Sequence, residues 1–388
     1  MLDVALARAH TPGVDNVTHF NNAGSSLPPE IVVDTTIDHL RREAEIGGYE
    51  ASEEAADRVH DVYRSIATLI GAQPEQIACV ENATRAWDMA VYGYPFRAGD
   101  RVLTARAEYA SNAIALLQLQ RRHGIEIVLI EDDESGQISL EHLRRELDRG
   151  AVMMSLTHIP TNGGLVNPAR SVGEICSEYG VFYVLDACQS IGHVPIDVGQ
   201  LRCDVLSATG RKYLRGPRGT GFLYTSDRAL DILEPPFLDL HAATWTSETT
   251  YEIRSDAKKF ENWETNYATK LGLGAAVEYA LAAGPDETWS RIQSIACTLR
   301  ERLDGLGNVT VHDKGQTKGG IVTFSVQDVP AATTQQSLRR AGINTSVSPP
   351  EYAHFDLPHR GLPALVRASL HYFNTDAEID QLIQALET

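Results

Sequence analysis

The chain has 388 residues, 43% of them hydrophobic and 22% charged, which is enough to bury a sizeable core and excludes gross disorder. A formal charge of −18 argues against nucleic acid and against anionic membrane surfaces as partners, since both require a basic face. No window approaches a membrane-spanning apolar run, and the five scattered cysteines (Cys79, Cys176, Cys188, Cys203, Cys297) form neither a disulfide framework nor a zinc site.

Residues 1–20 form an N-terminal segment in which no basic stretch leads into an apolar run, so no secretory leader is expected and a cytoplasmic location follows. Residues 21–284 read as a large α/β domain. Short apolar runs at 101–106 ("RVLTAR"), 126–131, 151–158, 181–187 and 204–210 predict strands. Between them, segments such as "SNAIALLQLQRRHG" and "SLEHLRRELDRG" carry helical periodicity. Such alternation predicts a mostly parallel central sheet with helices on both faces, whose ligands gather beyond the carboxyl ends of the strands. The chemically unusual residues fall at those ends: Thr157 and His158, Asp186, and Thr209 to Lys212.

Residues 285–388 read as a smaller α+β domain. A helix at 287–307 leads to a strand at 319–326, a helix at 331–342, a Pro-rich loop at 346–363, a strand at 364–373 and a closing helix at 377–387. His354 and His359 lie five apart in the Pro-rich loop without a third ligand, so no metal site is expected there. A lid over substrate suits that loop better.

The stretch "SATGRKYLRGPRGTG" (207–221) concentrates basic residues and glycines at the end of a strand in an acidic chain. Beside Lys212 the fixed charge of Arg211 favours the neutral, nucleophilic amine, and Thr209, Gly210 and Arg211 offer donors to an anion. Pyridoxal phosphate (PLP) unites these features, with an aldehyde for the lysine and a phosphate for its neighbours. Its pyridine nitrogen calls for a carboxylate, and Asp186, at the end of an apolar strand, is the candidate. A helix cap for Asp186 and a solvated charge for Lys212 are the bland alternatives, and the joint pattern of strand-Asp, then strand-Thr-Gly-Arg-Lys, disfavours them.

"VLDACQSIGHVPIDV" followed by "CDVLSATGRKYLRGPRGTGFLY" resembles the class V aminotransferase group of fold-type I PLP enzymes. That group includes cysteine desulfurases, isopenicillin N epimerase-like proteins and hercynylcysteine sulfoxide lyases. The likeness runs from "THFNNAGSSLPPE" to "VRASLHYFNTDAEID". It implies that Lys212 is the Schiff-base lysine and Asp186 the partner of the ring nitrogen. It further implies that Gln189 bonds the ring hydroxyl, that Tyr109 replaces a ring-stacking histidine, and that Ala83, Thr84, Thr209 and Arg211 hold the phosphate. Arg367 is implied to bind the substrate carboxylate, with Thr161, Asn162 and Asn22 (beside Asn21) near substrate. Glu264 takes the place of a hydroxyl residue that reaches the neighbouring subunit's phosphate; Thr265 is an alternative donor. A homodimer acting on a small amino-acid substrate is expected from the group.

Residues 298–388 contain no cysteine, whereas desulfurases of the group use a small-domain cysteine as sulfur acceptor. The first expectation is therefore a C–S lyase carrying out β-elimination on a cysteine-derived substrate. Residues 41–59, similar to the ergothioneine-type sulfoxide lyases, point the same way. The alternatives are an epimerase or racemase, with Tyr109 or His158 as second base, and an aminotransferase or decarboxylating enzyme.

Overall fold

A computed structural model of the chain describes residues 2–387. Seven strands build the central sheet: β1 (Ile77–Val80), β2 (Arg101–Ala105), β3 (Glu126–Ile130), β4 (Met153–Thr157), β5 (Phe182–Asp186), β6 (Val205–Thr209) and β7 (Gly221–Thr225). Their order is β1-β7-β6-β5-β4-β2-β3, and only β7 runs against the others. The fold is thus the mostly parallel α/β class that the strand–helix alternation implies.

Strands β4 to β7 are buried at every position, which is why they appear in the sequence as continuous apolar runs and not as alternating ones. Successive residues still serve opposite faces. Val102, Met153, Phe182, Val184 and Val205 pack with Trp87, Leu116 and Leu119 from the helices Ala83–Val91 and Ala110–His123. Leu103, Met154, Tyr183, Leu185 and Leu206 pack on the other side with Ile66, Leu143, Val172 and Leu273.

The smaller unit is an antiparallel sheet of β8 (Val309–Val311), β9 (Ile321–Val326), β10 (Ser346–Ser348) and β11 (Leu365–Ser369), in the order β8-β9-β11-β10. Helices Pro285–Asp304, Ala331–Arg340 and Asp376–Glu387 cover it. The expected strand over 364–373 stops at Ser369, because the chain turns at His371, whose N–H donates to Asn374 Oδ1 at 2.8 Å. Within the expected loop 346–363 the residues Ser346–Ser348 pair with β11, so the loop is shorter than the sequence suggests.

The beginning of the chain is stitched to its end. Thr18–His19 pairs in parallel with Ile343–Asn344, and Phe20 is buried in the core of the smaller unit. Arg8 Nη1 donates to Glu378 Oε1 at 3.0 Å and to the carbonyl of Phe373 at 2.9 Å. Arg215, 2% exposed, has no carboxylate partner among the described residues. It donates to the Leu27 carbonyl at 2.9 Å and the Tyr372 hydroxyl at 2.6 Å, and its guanidinium carbon lies 4.7 Å from the Phe373 ring centroid.

Gly221, the first residue of β7, admits no side chain: a Cβ would lie 2.5 Å from the Ala208 carbonyl oxygen and 3.0 Å from Asn82 Cα. Because those neighbours are backbone, Gly221→Ala is expected to cost about 1–3 kcal/mol in thermal or urea unfolding. An unchanged midpoint would show that the Asn82 turn moves freely.

Candidate active site

Parallel pairing places the ends of the strands side by side, with Thr157 opposite Asp186 and Asp186 opposite Ser207. Asp186 closes β5 at 4% exposure. Its Oδ1 accepts from the Cys188 N–H at 2.8 Å and its Oδ2 from the Asn112 amide at 2.9 Å. Burial raises the Asp186 carboxyl above its ordinary range, opposed by those two donors and by the charge of Lys212. Lys212 is 6% exposed just beyond β6, with its Nζ 6.0 Å from the centroid of the Tyr109 ring. Burial pushes the Cys188 thiol above its ordinary range, opposed by the charge of Lys212.

A cavity of about 260 Å³ is lined by Asp186, Lys212, Tyr109, Asn112 and Cys188 together with Ala83, Thr84, Arg211 and Arg218. Ala83 and Thr84 open the nine-residue helix Ala83–Val91, whose first free N–H groups suit an anion. Asn82 caps this helix by accepting from the Arg85 N–H at 2.9 Å. Thr209 is placed differently from expectation: its hydroxyl donates to the Thr220 carbonyl at 3.2 Å and accepts from Arg211 Nη1 at 3.1 Å. It therefore orients Arg211 and does not itself line the cavity.

Three residues after Asp186, Gln189 opens a set of hydrogen bonds to the smaller unit. Gln189 Nε2 donates to the Ala23 carbonyl at 3.0 Å and to Thr161 Oγ1 at 3.1 Å. Thr161 Oγ1 also accepts from Arg367 Nη1 at 2.7 Å, while Arg367 Nη2 donates to Asn21 Oδ1 at 3.2 Å. Asn162 is buried in the same turn as Thr161. Arg367 is buried without an acidic partner among the described residues, its Nε is left without an acceptor, and desolvation lowers its pKa to about 10. A guanidinium in that state is suited to a carboxylate.

Asn22, expected near substrate, is a structural residue instead. Its Nδ2 donates to the Ser369 carbonyl at 2.8 Å and its Oδ1 accepts from the Ser26 hydroxyl at 2.7 Å, so its neighbour Asn21 is the one that meets Arg367. Glu264 and Thr265 line a separate, larger cavity of about 650 Å³, which shares Glu81 and Gly219 with the first. Sequence reasoning missed Asn112, Cys188 and Arg218. Asn112 was visible only as the first-turn residue of "AEYASN", where asparagine reads as a cap.

PLP fits this set. Gln189 Oε1 is buried without a hydrogen-bond partner, as a ring hydroxyl would require. Asp186 and Lys212 share one cavity with two guanidinium groups and a helix N-terminus.

A family model described as Aminotransferase class-V matches residues 18–382. The chain is 25% identical to a probable cysteine desulfurase of Pyrococcus abyssi, covering 98% of this chain and 96% of that one. It is 28% identical to one of Xylella fastidiosa, covering 99% and 93%. Among solved structures, the apo cysteine desulfurase of Thermococcus onnurineus aligns with a TM-score of 0.93 at 24% identity, over 100% of this chain and 98% of that one. The cystine C–S lyase C-DES in complex with cysteine persulfide aligns with a TM-score of 0.87 at 22% identity, over 97% and 98%.

Two buried imidazoles near the site stay neutral: desolvation lowers His158 to about 4 and His193 to about 3, from 6.5. The unfolded chain then binds more protons than the folded one across that window, so their contribution is complete above pH 6.5 and is lost as pH falls toward 4 and 3. Asp186 and Glu108, raised by burial, act in the opposite direction. His193 bonds the Gln189 carbonyl at 3.0 Å and accepts from the Gly320 N–H at 2.7 Å, roles that a glutamine amide also fills. His193→Gln should therefore flatten the dependence of the melting temperature on pH in this window; an unchanged slope would count against it.

Proposed function

The chain belongs to the aminotransferase class-V family of PLP-dependent enzymes, and on that premise we propose a C–S lyase that eliminates the sulfur substituent of a cysteine-derived amino acid. One fact favours elimination over sulfur transfer to the protein: residues 298–388, which include the whole loop 346–363, contain no cysteine. Cys188, the thiol that lines the cavity, is no substitute, because burial keeps it protonated and weakly nucleophilic.

When bound, PLP supplies the electron sink for the bonds at Cα. The protein supplies the rest. Arg367 takes the substrate carboxylate in two parallel hydrogen bonds and so sets which Cα bond faces the cavity. The Lys212 amine would take the Cα proton onto Nζ, the Cβ–S bond would break, and the sulfur would leave with a proton. Water then completes the balance, giving pyruvate and ammonia. Asp186, buried and held by the Asn112 amide and the Cys188 N–H, would keep the ring nitrogen protonated. Tyr109 cannot act as an imidazole acid, which removes one proton carrier that a desulfurase of the group has. Its ring faces Lys212, which favours a second reading, epimerisation at Cα with a base on each side.

We also propose a homodimer and a cytoplasmic location. Exposed Leu40, Tyr49 and Trp263 lie at the large cavity beside Glu264 or next to it, an apolar face suited to a second copy. The five cysteines are free thiols, in keeping with a reducing compartment. Sedimentation as a monomer would remove the dimer.

Purified protein with PLP should show a visible absorbance band that Lys212→Ala abolishes. Cysteine conjugates should yield pyruvate together with a sulfur product; Cα proton exchange in heavy water without pyruvate would establish the epimerase instead. Arg367→Ala should raise KM by about ten- to a hundredfold while leaving the absorbance band in place. Unchanged kinetics would take Arg367 out of the site.

A further inference from the structure

Glu108 is 5% exposed and pairs with no cation among the described residues, yet five donors converge on it. Oε1 accepts from the Tyr109 N–H at 2.7 Å, from the Asn112 amide at 3.0 Å and from the Thr157 hydroxyl. Oε2 accepts from the Thr104 hydroxyl at 2.7 Å and the Ser155 hydroxyl at 3.4 Å. A carboxylate buried without a counter-ion is costly, and hydrogen bonds from every side are what make it tolerable.

Two of those donors belong to the walls of the cavity. Tyr109 precedes the helix Ala110–His123, and its ring faces Lys212. Asn112 uses the same Nδ2 to reach both Glu108 Oε1 and Asp186 Oδ2, one hydrogen for each carboxylate. Only one orientation of the amide permits this, because a flip would set its carbonyl oxygen against two carboxylates. One side chain therefore fixes both the aromatic wall and the acid at the cavity's end.

We propose that Glu108 is the positioning residue of the cofactor-ring site, holding Tyr109 directly and Asp186 through Asn112. The proposal rests on the PLP assignment. It acts by geometry, so a neutral isostere suffices: in Glu108→Gln the carbonyl oxygen still receives Tyr109 and Asn112, while the new NH₂ faces Thr104 and Ser155, whose hydroxyls rotate to accept.

The test uses full-length apoprotein titrated with PLP, reading the dissociation constant, the ¹⁵N shift of labelled pyridine nitrogen and the melting temperature. Wild type that binds no PLP overturns the cofactor assignment and this proposal with it. Given wild-type binding, Glu108→Ala should weaken PLP by at least about tenfold and move the ring nitrogen toward the unprotonated shift, with Glu108→Gln within about threefold of wild type. Glu108→Ala behaving as wild type overturns the proposal, and so does Glu108→Gln losing as much as Glu108→Ala while keeping its melting temperature. Should Glu108→Ala fail to fold, Asn112→Ala decides. It removes the donor shared by the two carboxylates while leaving Glu108 on the Tyr109 N–H, and should move the ring nitrogen signal; an unmoved signal overturns the link.

Discussion

A carboxylate and an amine buried at the ends of neighbouring strands govern this structure. Neither Asp186 nor Lys212 would be stable there unaided, since an isolated charge in a protein interior costs several kcal/mol, about the magnitude of the whole folding free energy. The surroundings are accordingly organised to carry them. The Cys188 N–H and the Asn112 amide converge on the acid, and β5 and β6 run in parallel register so that both groups emerge on one edge. The atoms that make the buried pair tolerable are also the ones that would suit the nitrogen of a pyridine ring.

Arg367 poses the same problem with the opposite sign and a different solution. No acid answers it among the described residues; Thr161 and Asn21 supply neutral oxygens only. Thr161 also accepts from Gln189, so the guanidinium of the smaller unit and the amide of the cofactor loop meet at one hydroxyl. On the proposed reading, a carboxylate held by Arg367 would be felt at Gln189 through that single shared oxygen.

The parts legible in the sequence were those with strong local signatures. Fully buried parallel strands leave unbroken apolar runs, and a strand-end aspartate followed by Thr-Gly-Arg-Lys is too specific to arise from solvated loops. The parts that were not legible depend on tertiary partners. Strand β1 has four residues, "IACV", and gives too short a run to stand out; the hairpin Ala243–Ser247 with Thr250–Ile253 is exposed and polar. Asn22 and Thr209 have the right chemistry for ligands, but backbone carbonyls and neighbouring hydroxyls occupy them, which no single sequence discloses. Glu108 is the reverse case. An acid just before a helix reads as a solvated first-turn charge, and only the fold sets three hydroxyls around it.

The pairing of the first twenty residues with the last seventy has a consequence for biosynthesis. Thr18–His19 needs Ile343–Asn344, Arg8 needs Glu378, and the Ser26 N–H holds the Arg211 carbonyl beside Lys212 at 2.9 Å. Residues 8–19 find these partners only once residues 343–378 have been made, so the segment that leads into Ser26 settles late in synthesis. The contact of Ser26 with the Arg211 carbonyl, which steadies the turn before Lys212, is thereby bracketed by a pairing between residues more than three hundred positions apart.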